Sequence, residues 1–444
     1  MIGKSANQNQ GSFFQPLLKD FIDLSHELVL LSDKIDWKYF ENEFSKYYSN
    51  TGQPAMPIRL MVGSLLLKRI YNLSDERVCE AWEMNPYMQY FCGMVHFTHQ
   101  FPTDPSDFVH FRNRIGKAGV EVIFAYSVHL FGKEAKEKVT LSDTTVSENN
   151  TTFPTDSKLA KKIIDKCNEI AKKEKITQRQ TYVRTSKQLV RETHNRNHPK
   201  RRKKAKKADA RLKTIAGRLL RELERELPTS VLNTYIEQLD LYYRVLNQKR
   251  TDSDKIYSLY KPFTACIAKG KAHKQYEFGT KVGIITTSKR LIITAVKSFI
   301  GNPHDSKTIE PLLDQMQSNL NYVPQEVIYD RGGKGAKQIG STIISTPDYR
   351  PLKRDTEYQK RTKRKKFRRR AAIEPVIGHL KTDFRMNQNY LWGDNSPQIN
   401  AFLAATGWNL KKMMKQLKEE FKNLVRYIYK LLFFKINAFL KLSY

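Results

Sequence analysis

Between Lys138 and Val146 the chain reads KVTLSDTTV, and its periodicity changes there. Residues 16–135, before it, carry apolar positions at helical spacing, as in Arg59–Tyr71 (RLMVGSLLLKRIY). The new stretch alternates and is rich in β-branched residues, which predicts a strand ending near Asp143. Ser157–Gln248 returns to long helices, interrupted by Asn195–Lys207 (NRNHPKRRKKAKK). That run is too charged for a core and reads as solvated or facing a polyanion. Strand signals resume at Phe263–Ala268. A hairpin follows, Tyr276–Ile285 and Leu291–Phe299, turning near Thr287, Ser288 and Lys289. Asn302-Pro303 ends it, and Asp305 or Ser306 is placed to cap a helix through Ser318. Glu326–Tyr329 (EVIY) is a short buried-type strand ending on Asp330, with the turn RGGKG after it, and Thr342–Ser345 is another strand. Phe367–Arg385 (FRRRAAIEPVIGHLKTDFR) reads as one basic helix. This order constrains the chain to an α/β class: a mixed sheet with helices packed on it, a helical insert, and an all-helical region in front.

The 444 residues suffice for two or three domains with real cores, and 40% hydrophobic with 11% aromatic content excludes a disordered tail. A net charge of +33 points to a polyanionic partner, most simply DNA or RNA. Cys79, Cys92, Cys167 and Cys266 form no CxxC pair, so neither a zinc ribbon nor a disulfide framework is indicated, and reduced thiols of a cytosolic compartment are expected. The N-terminal MIGKSANQNQ lacks the apolar core of a signal peptide. Leu424–Tyr444 is apolar but interrupted by Arg426, Lys430, Lys435 and Lys441, which predicts an amphipathic packing helix and not a membrane span, with association at a membrane surface the lesser alternative. In the N-terminal region, Asn72–Glu76 supplies a turn and a cap for the next helix. After the loop Pro102–Asp107 (PTDPSD), Ser106 or Asp107 is placed to cap a helix carrying Phe111, Arg112 and Arg114. Short helices with exposed arginines suit a DNA-binding module. The same periodicity fits a helical bundle with a solvated basic face.

Two acids, Asp143 and Asp330, fall at predicted strand ends, where open sheets of this class gather their chemistry. Glu374 follows in the basic helix, with Lys381 two turns further on the same face and Arg370 one turn before. Pro375 favours a helix start nearby, so Arg370 stands at its entrance, and its alignment with Glu374 is less fixed than that of Lys381. Three carboxylates suffice for two Mg²⁺ ions, which prefer oxygen ligands and keep several waters. Each acid alone has a plain reading as a cap or turn residue. Glu148 and Asp156 compete for the first position, and Asp383 competes with Glu374 from a different helix face. Asp305 reads as a helix cap. His99, His273, His304 and His379 are spaced for no zinc site. Phosphate-binding candidates are Arg368, Arg369, Arg370 and Lys381, a second group at Lys200, Arg201, Arg202 and Lys203, and the hairpin lysines Lys269, Lys271 and Lys281, for which a solvated edge is the plain alternative.

Four ordered segments carry a family resemblance: Asp143 within SDTTVSENNTTFPTD, then KGKAHKQYEFGTKV (Lys269–Val282), Asp330 within VIYDRGGKG, and RRRAAIEPVIGHLK (Arg368–Lys381). With PTDPSDFVHFRNRIG (Pro102–Gly116), the chain resembles bacterial insertion-sequence transposases of the DDE type, in particular insertion-sequence family five, from about Pro57 to Lys412. The resemblance implies an RNase H-like catalytic fold in which Asp143, Asp330 and Glu374 bind metal: two Mg²⁺ ions, with Mn²⁺ as substitute. The family's Y-x2-R-x3-E-x6-K signature falls on Phe367, Arg370, Glu374 and Lys381. Phe367 stands where the family has Tyr, which removes a hydroxyl and leaves aromatic stacking. Implied partners are double-stranded DNA, as element terminal repeats and target, and a second copy of the chain when DNA is bound. The implied location is cytoplasmic, on the nucleoid. The expected division is a helical DNA-binding domain (1–135), a catalytic domain (136–400) with its helical insert (157–250), and a C-terminal helical segment (401–444).

Overall fold

The computed structural model describes residues 3, 15–49, 51–52, 54–268, 274–348 and 354–442, with side chains as far as residue 432. Lys269, Lys271 and His273 lie outside the described residues. So do the side chains of Lys435 and Lys441.

The chain divides into two compact units. The first comprises Met1–Ser147, Val282–Phe299 and Pro303–Tyr444. Its N-terminal helices include Ile58–Ile70, Asp75–Met84 and Asp107–His129. Ser74 caps the second of these by accepting from the Arg77 N–H. Neither expected cap forms on the third: Ser106 makes no capping bond, and the helix is kinked where Gly116 takes a φ of 59°. One hydrophobic core joins these helices to the sheet and to the long C-terminal helix Ser396–Leu442, through residues such as Trp82, Phe124, Ile284, Val296 and Phe402.

The strands are β1 (Val139–Asn149), β2 (Ala265–Ala268), β3 (Tyr276–Thr287), β4 (Ile293–Phe299), β5 (Glu326–Ile328), β6 (Gln338–Ile339), β7 (Thr342–Ser345) and β8 (Gln388–Asn389). The order is β2-β3-β1-β5-β7-β6, with β4 on β3 and β8 on β1. β5 runs parallel to β1, with Leu141 opposite Ile328, and β7 runs parallel to β5. β1 continues well past Asp143, so this acid lies inside the strand and not at its end. The β-branched alternation simply continues, whereas pairing with β5 stops at Leu141. Asp143 therefore emerges where its neighbour strand has ended.

The second unit, Glu148–Lys281 with Ile300–Asn302, has its own core of Leu159, Ile163, Leu212, Leu219 and Tyr242 between the helices Asp156–Lys173, Pro199–Glu226 and Thr229–Asn247. The basic run interrupts the helices only as far as His198. It is helical from Pro199, which starts the helix because its missing N–H is needed by no partner in the first turn. Lys200–Lys204 remain exposed, while Ala205 and Ala208 are buried.

Three further expectations are corrected. The predicted single helix Phe367–Arg385 is two, Glu357–Arg370 and Ile373–Thr382. Pro375 has no N–H and clashes with the carbonyl four residues back, so the first helix cannot run through it. The predicted packing of Leu424 onward does not occur in its described part. Leu424, Tyr427, Ile428, Leu431 and Leu432 are exposed, because the helix has passed the last core position, Met414. Arg112 is buried and not displayed: its guanidinium makes two 2.9 Å bonds to Asp75. Among the described residues no helix is long and apolar enough to cross a membrane.

Candidate active site

Leu141 on β1, Ile328 on β5 and Ile373 form a small buried cluster. Alternation puts Asp143 on the same side as Leu141 and aims Asp330, two residues past Ile328, alike. Ile373 pins the start of its helix onto this pair, which delivers its neighbour Glu374 to the same place. Phe367 is half-buried against this cluster. It fills apolar space there, a task that needs no hydroxyl.

Arg370 joins the three acids. One guanidinium lies 3.6 Å from Asp143 Oδ2, 3.7 Å from Asp330 Oδ2 and 2.7 Å from Glu374 Oε1. The last contact spans four residues and survives the helix break because Ala371 and Ala372 stay in a helical turn. Asp143 is the most enclosed acid, its side chain 15% exposed, while Glu374 at 62% faces solvent. Burial pushes the Asp143 carboxyl up to about 6, with help from Asp330 and Glu374. Arg370 and the Thr144 N–H, 2.7 Å from Oδ1, only partly oppose this. Burial pulls Arg370 down, but its bond to Glu374 and the charges of all three acids leave it above the usual range.

The loop after β5 is shaped for this site. Asp330 caps the turn Arg331–Gly333, accepting from the Gly333 N–H at 3.2 Å. A methyl on Gly333 would collide with the buried Tyr329 ring, and one on Gly332 would come within 2.8 Å of Asp305 Oδ2 and 3.1 Å of Asp330 Oδ1. Asp305 is thus a fourth acid beside the site. It does not cap the turn Asp305–Thr308, a role His304 takes by accepting from the Ser306 N–H. Its Oδ1 instead accepts from Thr144 Oγ1 at 3.1 Å. The signal for it was in the sequence, since Asp305 follows β4 in a polar loop just as Asp330 follows β5.

The competitors are engaged elsewhere. Glu148 pairs with Lys274, and Asp156 opens a helix of the second unit. Asp383 bonds His379 at 2.7 Å. Among the phosphate candidates, Lys381 is half-buried in the last turn of the Glu374 helix. Arg369 is turned to the Ser288 and Lys289 carbonyls at 2.7 and 3.1 Å. Arg368 lines a cleft of about 840 Å³ with Lys365 and Lys366, and none of the three acids lines it. Lys281 is buried in β3. The helix Glu357–Arg370 fully buries no residue. Among the described residues no three His, Cys, Asp or Glu side chains stand ready to hold an ion as they are placed, since the acids close on Arg370.

Comparison with known proteins bears on this arrangement. The family model described as a transposase domain (DUF772) matches residues 16–114, and the transposase DDE domain model matches residues 246–410. Asp330 and Glu374 fall within the second match, and Asp143 falls between the two. An uncharacterized protein, ORF8 in the nfe locus of Rhizobium meliloti, is 37% identical over 190 residues, which is 41% of this chain and 91% of that protein. No solved structure matches the chain. With transposase models covering both its helical N-terminal region and the segment that carries Asp330 and Glu374, the chain belongs to the DDE transposases of insertion sequences.

Proposed function

We propose that the chain cuts and joins DNA at a metal centre formed by Asp143, Asp330 and Glu374, in an RNase H-like fold. The observation that carries this reading is the shared contact of all three acids with Arg370. Acids from three separate segments meet one cation at the place where β5 ends. The parallel β5 and β7 on one side of β1 and the β3–β4 hairpin on the other support the fold assignment. Placement in insertion-sequence family five rests on the motif resemblance.

The residues fit a hard divalent cation. All donors are carboxylate oxygens, and burial raises the proton affinity of Asp143 even with Arg370 beside it, a cost that a bound cation would offset. Asp143, Asp330 and Glu374 would hold Mg²⁺, with Mn²⁺ as substitute. A bound pair supplies acidity to the attacking water and offsets charge on the leaving oxygen.

The remaining roles belong to the chain. Arg370 leaves the acids for the phosphate and neutralises charge that develops in the transition state. Lys381, two turns along the Glu374 face, holds a neighbouring phosphate. Water adds to the phosphorus at the element end, the P–O3′ bond breaks, and the 3′-oxygen leaves as a hydroxyl. That hydroxyl then attacks a target phosphate and displaces a target 3′-oxygen, so no covalent enzyme intermediate forms. The N-terminal helices read element ends. Lys200, Arg201, Arg202 and Lys203, exposed on one helix, grip phosphates without reading sequence. Two copies act together on DNA, on the cytoplasmic nucleoid.

The test is incubation of the full chain with labelled element-end duplex and target DNA, in Mg²⁺ and separately in Ca²⁺. Nicked ends and joined products in Mg²⁺ alone are expected. Nicks without joined products would make the chain a nuclease of the same fold. Bound but uncut DNA would make it an inactive DNA-binding protein.

A further inference from the structure

A second cationic centre lies away from the three acids, in the first unit. A pocket of about 380 Å³ is lined by Lys68 and Arg69 from the Ile58–Ile70 helix, Arg112 from the Asp107–His129 helix, and Arg385. Tyr390 and Trp392 also line it and are 52% and 72% exposed. The lining acids are Asp75 and Glu76, so cations outnumber carboxylates. Asp75 is committed: it takes both Arg112 bonds and one from Lys68 at 2.5 Å.

Arg69 is the unusual member. It is 2% exposed, donates from one nitrogen to the Phe384 carbonyl at 3.2 Å, and its buried Nε has no hydrogen-bond partner among the described residues. A buried guanidinium donor without a partner is costly, and repulsion from Arg112 and Arg385 adds to that cost. Burial pushes Lys68 down to about 7 and Arg69 to about 9, and Asp75 only partly opposes this. Arginine forks match phosphate oxygens, and exposed aromatic faces match bases. Arg385 already lies over the Tyr390 ring, 5.8 Å from its centroid, so the cationic and aromatic parts adjoin.

We propose that this pocket binds one nucleotide unit, its phosphate on Arg69 and Arg385 and its base on Tyr390 and Trp392. The unit comes from a DNA strand or from a free nucleotide. Only the first source rests on the transposase reading. The pocket needs neither the three acids nor a divalent metal.

The experiment follows tryptophan emission of the full chain, without divalent metal, on titration with dAMP, deoxyadenosine, inorganic phosphate and a short single-stranded oligonucleotide. Trp37 and Trp82 are buried and Trp408 is half-buried, so the Trp392 signal is obtained by difference from W392F. W392F alters an exposed ring and Arg385→Gln a half-buried side chain, and thermal unfolding checks that both variants fold. The expected result is a saturable Trp392 response to dAMP, with deoxyadenosine and inorganic phosphate each at least about tenfold weaker, and an affinity about tenfold lower in Arg385→Gln. An oligonucleotide that binds more tightly than dAMP, with the same dependence on Arg385, identifies the strand as the source; saturation by dAMP alone identifies the free nucleotide. No Trp392 response to either probe, or a response unchanged in Arg385→Gln, overturns the proposal, whatever the cleavage assay shows.

Discussion

Replacing Asp143 with Asn should stabilise the metal-free protein while abolishing cutting. In the folded chain burial raises this carboxyl from 3.8 to about 6, and its side chain is only 15% exposed. The folded state therefore holds a proton that the unfolded chain releases between those values. The stabilisation is complete below 3.8 and is lost as pH rises through about 6. Ionised Asp143 thus costs the metal-free fold roughly 3 kcal/mol at neutral pH relative to its protonated form, at about 1.4 kcal/mol for each tenfold change in proton affinity. Asparagine resembles the protonated form, so the mutant escapes most of that cost. Between about pH 5 and pH 8 its advantage over wild type should grow by roughly 1.4 kcal/mol. In a chain of this length that is a rise of about 1–2 degrees in the unfolding midpoint. The assay is thermal unfolding of both proteins across that range without divalent metal. Saturating Mn²⁺ should cancel most of that advantage, since only wild type keeps its metal acids and gains about 2.7 kcal/mol at a hundredfold excess over Kd. A mutant less stable at every pH, or a difference that does not vary with pH, would refute the burial argument.

Three further outcomes are expected. Arg370→Gln should lower the cutting rate by about 10²–10³ while element-end binding changes little, as for loss of one preorganised transition-state donor; an equal loss of binding would make it an anchor only. Neutralising Lys200, Arg201, Arg202 and Lys203 should flatten the log–log dependence of DNA affinity on salt by about 0.9 for each phosphate left without its cation, and an unchanged slope would return the run to plain solvated surface. Asp305→Asn should retain cutting but raise the Mn²⁺ concentration needed for it, because Thr144 loses a charged acceptor beside Asp143; an unaltered Mn²⁺ titration would remove Asp305 from the site.

The strands around the site were legible because their patterns are local. EVIY before Asp330 and the hairpin around Ser288 stand out by alternation and turn residues alone. The convergence of Asp143, Asp330 and Glu374 is set by the parallel register of Leu141 with Ile328 and by Ile373 beneath them, which no local pattern encodes. Asp305 was misread for the same reason: a polar loop acid looks like a cap until its tertiary neighbour, Thr144, is known. The basic segments misled in both directions. Arg112 looked exposed because charge is normally solvated, yet Asp75 pairs with it in the interior. NRNHPKRRKKAKK looked non-helical because its charges hide the buried Ala205, one turn before the buried Ala208 that follows the run.

Electron paramagnetic resonance of Mn²⁺ bound to the full chain with element-end DNA tests the central claim most directly. Wild type is predicted to bind Mn²⁺ saturably, and Asp143→Asn, Asp330→Asn and Glu374→Gln are each predicted to lose most of that binding while still retaining DNA. Unaltered Mn²⁺ binding in all three variants would contradict the assignment of these acids as the metal centre.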